Sequence, residues 1–547
     1  MGLFIKKPLE ELLAEANETG SKTLKRILGP WSLIALGVGV IIGAGLFSIT
    51  GTVAAGYTGP AITLSFAIAA LGCCFAGLCY AEFASMIPVA GSAYTYSYAT
   101  MGELIAWIIG WDLVLEYTVA ATTVSISWSR YLVVFLEGLG IHLPQALTAC
   151  PWDGGIVNIP AFLIVVMMSL FLIRGTKGSS IFNDIIVFLK VSVVLAFVVL
   201  GWQYIRMENF TPYIPENTGT LGEFGFSGVL RGAAIVFFAF LGFDAVSTAA
   251  QETRNPKRNM PIGILASLLI VTILYMLFAH VMTGVAHYSL FGGQNGIAPV
   301  AIAIEHMGEA DAAGVIHPDF PWLNRAIILA ILFGYCSVIM VTLLGQSRVF
   351  FSMSRDGLLP PLFCQVHEKY RTPAKSNFLF MLIVGSLAAV VPAQVAGEMT
   401  SIGTLFAFTL VCAGVLVIRK TMPDATSSFK TPFVPFVPIM GIATCLCMMV
   451  FLPADTWIRL VLWMLIGLDI YSVYGIKHSK LELGKERHGG QFTLNMIGVV
   501  LSVLSVLTGL WHQQTVGWGE SKVLLVISFL FAFTHLAYYM YRFWKQK

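Results

Sequence analysis

Apolar runs long enough to cross a bilayer recur along the whole of this chain, and no other property constrains its fold as strongly. A spanning helix needs about 20 predominantly apolar residues. Runs near that length, separated by polar or Gly/Pro punctuation, occupy 31–56, 60–87, 105–136, 156–173, 182–205, 226–251, 262–287, 323–353, 376–396, 400–418, 435–452, 456–474, 491–512 and 521–541. They predict an all-α integral membrane protein with 14 transmembrane helices. Of the 547 residues 57% are hydrophobic and 11% charged, where a soluble globular chain carries roughly 25% charged residues. A soluble chain and a disordered one are both excluded. The net charge of +3 gives no footprint for nucleic acid. Nine cysteines, odd in number and irregularly spaced, outline neither a disulfide framework nor a zinc site, and no metal or cofactor is implied.

Orientation follows from Lys and Arg alone. With the N-terminus inside and an even number of crossings, 25 of the 32 basic residues fall on the inner side, so both termini are expected in the cytoplasm. Residues 1–30 alternate charge with apolar residues and contain no cleavable signal core. Leu9, Leu12, Leu13 and Ala16 share a helical spacing that suggests a short interfacial helix, a frayed polar tail being the alternative.

Two spans are broken in their middles. The first contains Gly37, Gly39, Gly43 and Gly45 within nine residues, and the sixth places Gly242 and Asp244 mid-membrane. Glycine weakens a helix locally, although Gly39 and Gly43 also form a GxxxG packing spacing. An ionisable group at that depth needs a partner or a water-filled cavity. Breaks in the first and sixth spans occupy corresponding places in two five-helix halves, the arrangement of an inverted repeat with a substrate site between the breaks. Amides at half-helix N-termini attract a carboxylate, and freed carbonyls accept from an ammonium group. Amino acids are the simplest ligand class for such a pair.

At these residues the chain resembles the amino acid–polyamine–organocation superfamily of transporters and, within it, the cationic amino acid transporter family. The matching stretches are GVGVIIGAGLF (37–47), PVAGSAYTYSY (88–98), WDLVLEY (111–117), DIIVFLKVSVV (184–194), FFAFLGFDAVSTAAQETRNPKRNMP (237–261) and GQSRVFFSMSRDGLLP (345–360). The resemblance implies a leucine-transporter-like five-plus-five inverted repeat, 31–205 and 226–419, followed by four additional C-terminal helices in 435–547. It also implies that backbone at Ile41, Ile42, Gly43, Ala44 and Gly45 holds the substrate carboxylate and part of the ammonium. Carbonyls of Phe238, Ala239 and Leu241 complete the ammonium site. Ala44 departs from the Thr or Ser common among relatives, which removes a hydroxyl contact to the carboxylate. Tyr335, after Gly334, corresponds to a position near the far end of the substrate side chain.

Lys190 matches a lysine that, in proton-coupled relatives, stands where sodium sits in sodium-coupled cousins. An ammonium in mid-span must find partners or shed its proton, so Lys190 reads as a titrating switch, or as a strut paired with a carboxylate. Asp112 and Glu116 share one helix face. Glu116 resembles the family's third-helix glutamate and joins Lys190 and Asp244 as a proton-coupling candidate, whereas Asp112 reads as structural.

The expected function is secondary active transport of amino acids across the plasma membrane by alternating access, coupled to proton symport. Small or medium neutral substrates are expected to outcompete arginine, because Tyr335 fills the volume a long basic chain would need. An exchanger, or an amino acid sensor on the same scaffold, is the alternative. No HExxH or GxSxG occurs, which argues against an enzyme, and no filter repeat suggests a channel. The expected partners are an amino acid, protons and the lipid bilayer, and a monomer is admissible.

Overall fold

A computed structural model describes residues 2–17, 28–43, 45–89, 91–174, 179–250, 253–292, 299–310, 316–367, 372–422, 427–480, 487–515 and 522–546. The chain is a multi-pass helical membrane protein. Among the described residues nine helical stretches are long and apolar enough to cross a membrane: Pro30–Met86, Glu103–Glu137, Ile185–Tyr204, Gly225–Thr248, Pro256–Val285, Trp322–Arg355, Met399–Thr421, Ala454–His478 and Phe492–Gln513. Ile159–Arg174, Ala374–Val390 and Phe436–Val450 are shorter apolar helices, and Lys522–Gln546 follows them in the chain. The stretch Pro30–Met86 is divided at Gly59, whose φ of 60° suits only a residue without a side chain, followed by Pro60. The all-α expectation missed one feature, a short antiparallel hairpin pairing Gly308–Ala310 with Ile316–Pro318.

The helices that build and surround the site, with the N-terminal α1 (Leu9–Asn17), are α2 (Pro30–Ile41), α3 (Ile62–Met86), α4 (Ser92–Thr100), α5 (Glu103–Glu137), α6 (Ser179–Gly201), α7 (Gly225–Val236), α8 (Phe243–Thr248), α9 (Pro256–Val285), α10 (Pro321–Arg355) and α11 (Ala393–Thr421). Two interruptions stand out. Helix α2 stops at Ile41, where Ile42 turns to an extended conformation (φ −71°, ψ 100°), and helical turns resume at Gly45. Helix α7 tightens into a 3-10 turn over Phe237–Phe240, and Gly242 at φ 107° separates it from α8. The turns after the first break, Gly45–Ile49, pack against that 3-10 turn.

Helix α9 packs along both α2 and α3, and α5 is sandwiched between α10 and α11. Each of these helices is apolar on several sides, as expected of interior helices in a bundle rather than of an amphipathic surface helix. A Cβ at Gly45 would overlap the backbone of Ala239, so only glycine permits the close approach of the two interrupted segments.

The N-terminal segment packs on protein. Leu12 is buried, and Lys7 Nζ lies 3.0 Å from Asp356 Oδ1, whose other oxygen accepts from Tyr94 Oη at 2.7 Å. The backbone of this segment is pinned by Lys7 N to Tyr98 O (3.2 Å) and by Glu103 N to Ile5 O (3.1 Å). Residues 5 and 7 are thereby fastened to the backbone at Tyr98 and Glu103.

Candidate functional site

A helix that stops leaves its last carbonyls without amide partners, and inside a membrane each needs a substitute donor. Two side chains supply them at the first break. Lys190, on α6, donates from Nζ to Gly39 O (2.8 Å) and Ile42 O (2.9 Å), and it is buried. Among the described residues no carboxylate forms an ion pair with it. Tyr275, on α9, places its hydroxyl 2.6 Å from Ile41 O and 2.8 Å from Ala239 O. With a single hydrogen to give, it serves one carbonyl from each broken helix and ties the two breaks together.

Beside these breaks lies a small cavity, with about 30 Å³ open to the centres of water molecules. The first interrupted segment contributes Val40, Ile41, Gly43 and Gly45; the second contributes Phe238, Leu241, Gly242 and Ala245. Helix α5 adds Glu116, Tyr117, Ala120 and Val124, and α10 adds Val338 and Thr342. The wall is largely aliphatic, and Glu116 is its one ionisable carboxyl among the lining residues. Both Glu116 oxygens are buried without a hydrogen bond of normal geometry among the described residues, with the Thr404 hydroxyl in interaction range. One turn away, Asp112 is buried with neither oxygen partnered among the described residues, its Oδ1 facing the space a side chain at Gly403 of α11 would take.

Asp244 opens the short helix α8 just beyond the second break. Its Oδ2 accepts from Tyr117 Oη at 2.7 Å, which links the break to the cavity wall on α5. We expect Asp244→Ala to lower transport roughly 10- to 100-fold, because it strands the buried Tyr117 hydroxyl at a cost of about 1.5–3 kcal/mol. Asp112→Ala removes no such bond and should cost less. Uptake by the two variants at matched expression measures the difference, and equal activity would detach Asp244 from the site.

The structure gathers some of the expected site residues around the cavity and places others behind it. Ile41, Gly43, Gly45, Phe238, Leu241 and Glu116 line it. Ile42 and Ala239 turn their carbonyls to Lys190 and Tyr275, and Asp244 turns its carboxylate to Tyr117. Ala44 lies outside the described residues. Tyr335 is absent from the lining: it is fully buried, its hydroxyl 3.0 Å from Ser48 Oγ and its ring packed near Phe47 and Tyr131. Val338, three residues on, occupies the wall instead.

Tyr117, Tyr275, Ala120, Val124, Val338 and Thr342 escaped the sequence reading. Val338 and Thr342 share a helix face by their spacing of four, but nothing in an apolar run says which face meets a cavity. Tyr275 is a lone tyrosine in an apolar span, and such a residue gives no signal until its carbonyl partners are in place.

A family model described as amino acid permease matches residues 28–468. The chain belongs to the amino acid permease family. This permease is 42% identical over 482 residues to the methylthioribose transporter of Bacillus subtilis (strain 168), covering 88% of this chain and 99% of that one. It is 45% identical over 484 residues to the branched-chain amino acid permease BcaP of the same organism, with 88% and 99% covered. The vacuolar cationic amino acid transporter 4 of Arabidopsis thaliana is 37% identical over 416 residues, which is 74% of the permease and 65% of that relative. These matches bear out the resemblance carried by the motifs, and they place the permease among transporters rather than enzymes.

Proposed function

We propose that this permease is a secondary active transporter of neutral amino acids, coupled to proton symport and working by alternating access across the plasma membrane, with both termini in the cytoplasm. The observation that carries the reading is the cavity set between two facing helix breaks, with freed carbonyls at one edge and an aliphatic wall on the other. The backbone at 41–45 would take the substrate carboxylate, and the carbonyls of Phe238, Ala239 and Leu241 its ammonium. Val40, Ala120, Val124, Leu241 and Val338 would receive the side chain. Such a wall suits an aliphatic chain, since burying a guanidinium against it is costly without a partner. The name of the branched-chain relative agrees with that choice. Tyr335 acts from behind this wall by holding Ser48 of the first interrupted segment.

Coupling would reside in Lys190, Glu116 and Asp244. A proton on Lys190 makes its bonds to Gly39 and Ile42 charge-assisted and holds the first break in shape, so its loss would weaken the hold on that segment. The helices would make fourteen crossings, 31–205 and 226–419 forming the two inverted halves and 435–547 an accessory group.

Competition uptake in proteoliposomes tests substrate class: leucine or alanine should displace a labelled substrate better than arginine, and a preference for arginine overturns the neutral assignment. A pH-sensitive dye inside substrate-free vesicles tests coupling. Internal acidification on adding external amino acid marks symport, and its absence would make the permease an exchanger.

A further inference from the structure

The C-terminal helices carry ionisable groups that the transport site does not use. Helix α12 (Ala454–Ile470) continues in helical turns to His478, and α13 is Lys522–Gln546. Between them runs a groove with about 380 Å³ open to the centres of water molecules, lined by Asp469, Val473, Thr534, His535 and Tyr538. A charge in a membrane helix is costly unless it is paired. Asp469 is paired. Its Oδ2 lies 2.6 Å from His535 Nε2, its Oδ1 accepts from Tyr539, and His535 Nδ1 donates to the Phe531 carbonyl at 2.8 Å. Either an imidazolium faces a carboxylate here or a neutral ring faces a carboxyl, and the pair sums to zero charge in both cases.

Arg542, one turn beyond Tyr538, has no such compensation. Its Nη1 donates to Tyr538 Oη (3.1 Å) and Ser472 Oγ (3.4 Å), and its guanidinium carbon stands 5.4 Å from the centroid of the Tyr538 ring. Among the described residues no carboxylate pairs with it, and its Nε and Nη2 have no protein acceptor. The planar fork of an arginine matches a phosphate, to which it offers two parallel bonds. The surroundings favour an anion as well. Lys477 and Lys480 are exposed at the end of the α12 stretch, and Lys545 and Lys547 follow Arg542 in the sequence. Tyr541 and Trp544, both exposed, flank Arg542 as aromatic residues do at a membrane–water boundary.

The residues of α13 follow the order of a phospholipid. Ile527 and Leu530 are exposed and apolar, Thr534 and Tyr538 line the groove, and Arg542 ends the series. At 1.5 Å per residue, Leu530 to Arg542 spans roughly 18 Å, close to the roughly 15 Å of hydrocarbon in one leaflet. We infer that the groove binds an anionic phospholipid of the leaflet on the C-terminal side, with its phosphate on Arg542 and Tyr538 and an acyl chain along Val473 and Leu530. A zwitterionic headgroup fits less well, because its ammonium would stand near Arg542 with no uncompensated carboxylate among the described residues to receive it. None of these residues lines the cavity at the helix breaks, so the site stands whichever ion couples transport.

Phosphatidylglycerol added to the purified full chain in a neutral detergent tests the site through the melting temperature, which a ligand of the folded state raises in step with its occupancy. Phosphatidylglycerol should stabilise the protein, whereas phosphatidylcholine and inorganic phosphate at the same concentration should not. Arg542→Gln should raise the phosphatidylglycerol concentration for half-maximal stabilisation at least about tenfold, the size of one lost charge-assisted bond. Tyr538→Phe keeps the ring and deletes the hydroxyl; it should raise that concentration about threefold, and it decides the matter if Arg542→Gln does not fold. Lys522→Gln, at the opposite end of α13, should leave it unchanged. Equal stabilisation by phosphatidylcholine overturns the site, as does wild-type affinity in Arg542→Gln or Tyr538→Phe, or an equal loss in Lys522→Gln. Stabilisation by inorganic phosphate to the same extent overturns the lipid as its occupant.

Discussion

Lys190→Met is expected to abolish uptake driven by a pH gradient, by about a hundredfold or more, while leaving a folded protein. The lysine's two bonds to Gly39 and Ile42 are charge-assisted, worth about 1.5–3 kcal/mol each, and about 3 kcal/mol lost already corresponds to a hundredfold. Methionine fills a similar volume, so packing against Gly334 survives, yet it leaves the two carbonyls of the first break unserved. Size-exclusion and thermal-shift profiles close to wild type would show that the fold persists. Undiminished gradient-driven accumulation by the variant would remove Lys190 from coupling and leave it a strut.

A pair of single-methyl insertions should separate the two kinds of glycine at the first break. Gly45→Ala drives its new methyl into the Ala239 backbone, which cannot rotate away, so the interrupted segments must part. Overpacking of this kind costs about 1–3 kcal/mol; here it would also pull the Ile41 and Ala239 carbonyls off the shared Tyr275 hydroxyl. Substrate affinity should fall at least about tenfold, read from the thermal shift on adding amino acid, because stabilisation by a ligand follows its affinity for the folded state. Gly43→Ala has its tightest contact with the side chain of Val338, 3.2 Å from the added carbon, and a valine methyl can adjust. It should change affinity by less than about threefold. Equal losses in both variants would mean that the close approach at Gly45 plays no special part.

Much of this protein follows from the order of its residues alone. Apolar runs near the bilayer length declare membrane helices because backbone amides and carbonyls have no water to bond in hydrocarbon. Glycines mark the first break because they weaken a helix locally, and Asp244 marks the second because an ionisable group at that depth must find a partner. Lys190 is legible as a functional position because a cation in that setting must be served by something. What serves it is a different matter. That Lys190 meets two backbone carbonyls rather than a carboxylate depends on where α6 crosses α2, and carbonyls carry no residue identity to read. Tyr335 and Val338 differ by three positions on one helix, and only packing decides that the tyrosine stands behind Ser48 while the valine meets the cavity. Tyr275 is the plainest case: an ordinary tyrosine in an apolar span joins both breaks only because helix α9 crosses them, and the fold alone brings residues 41, 239 and 275 to one point.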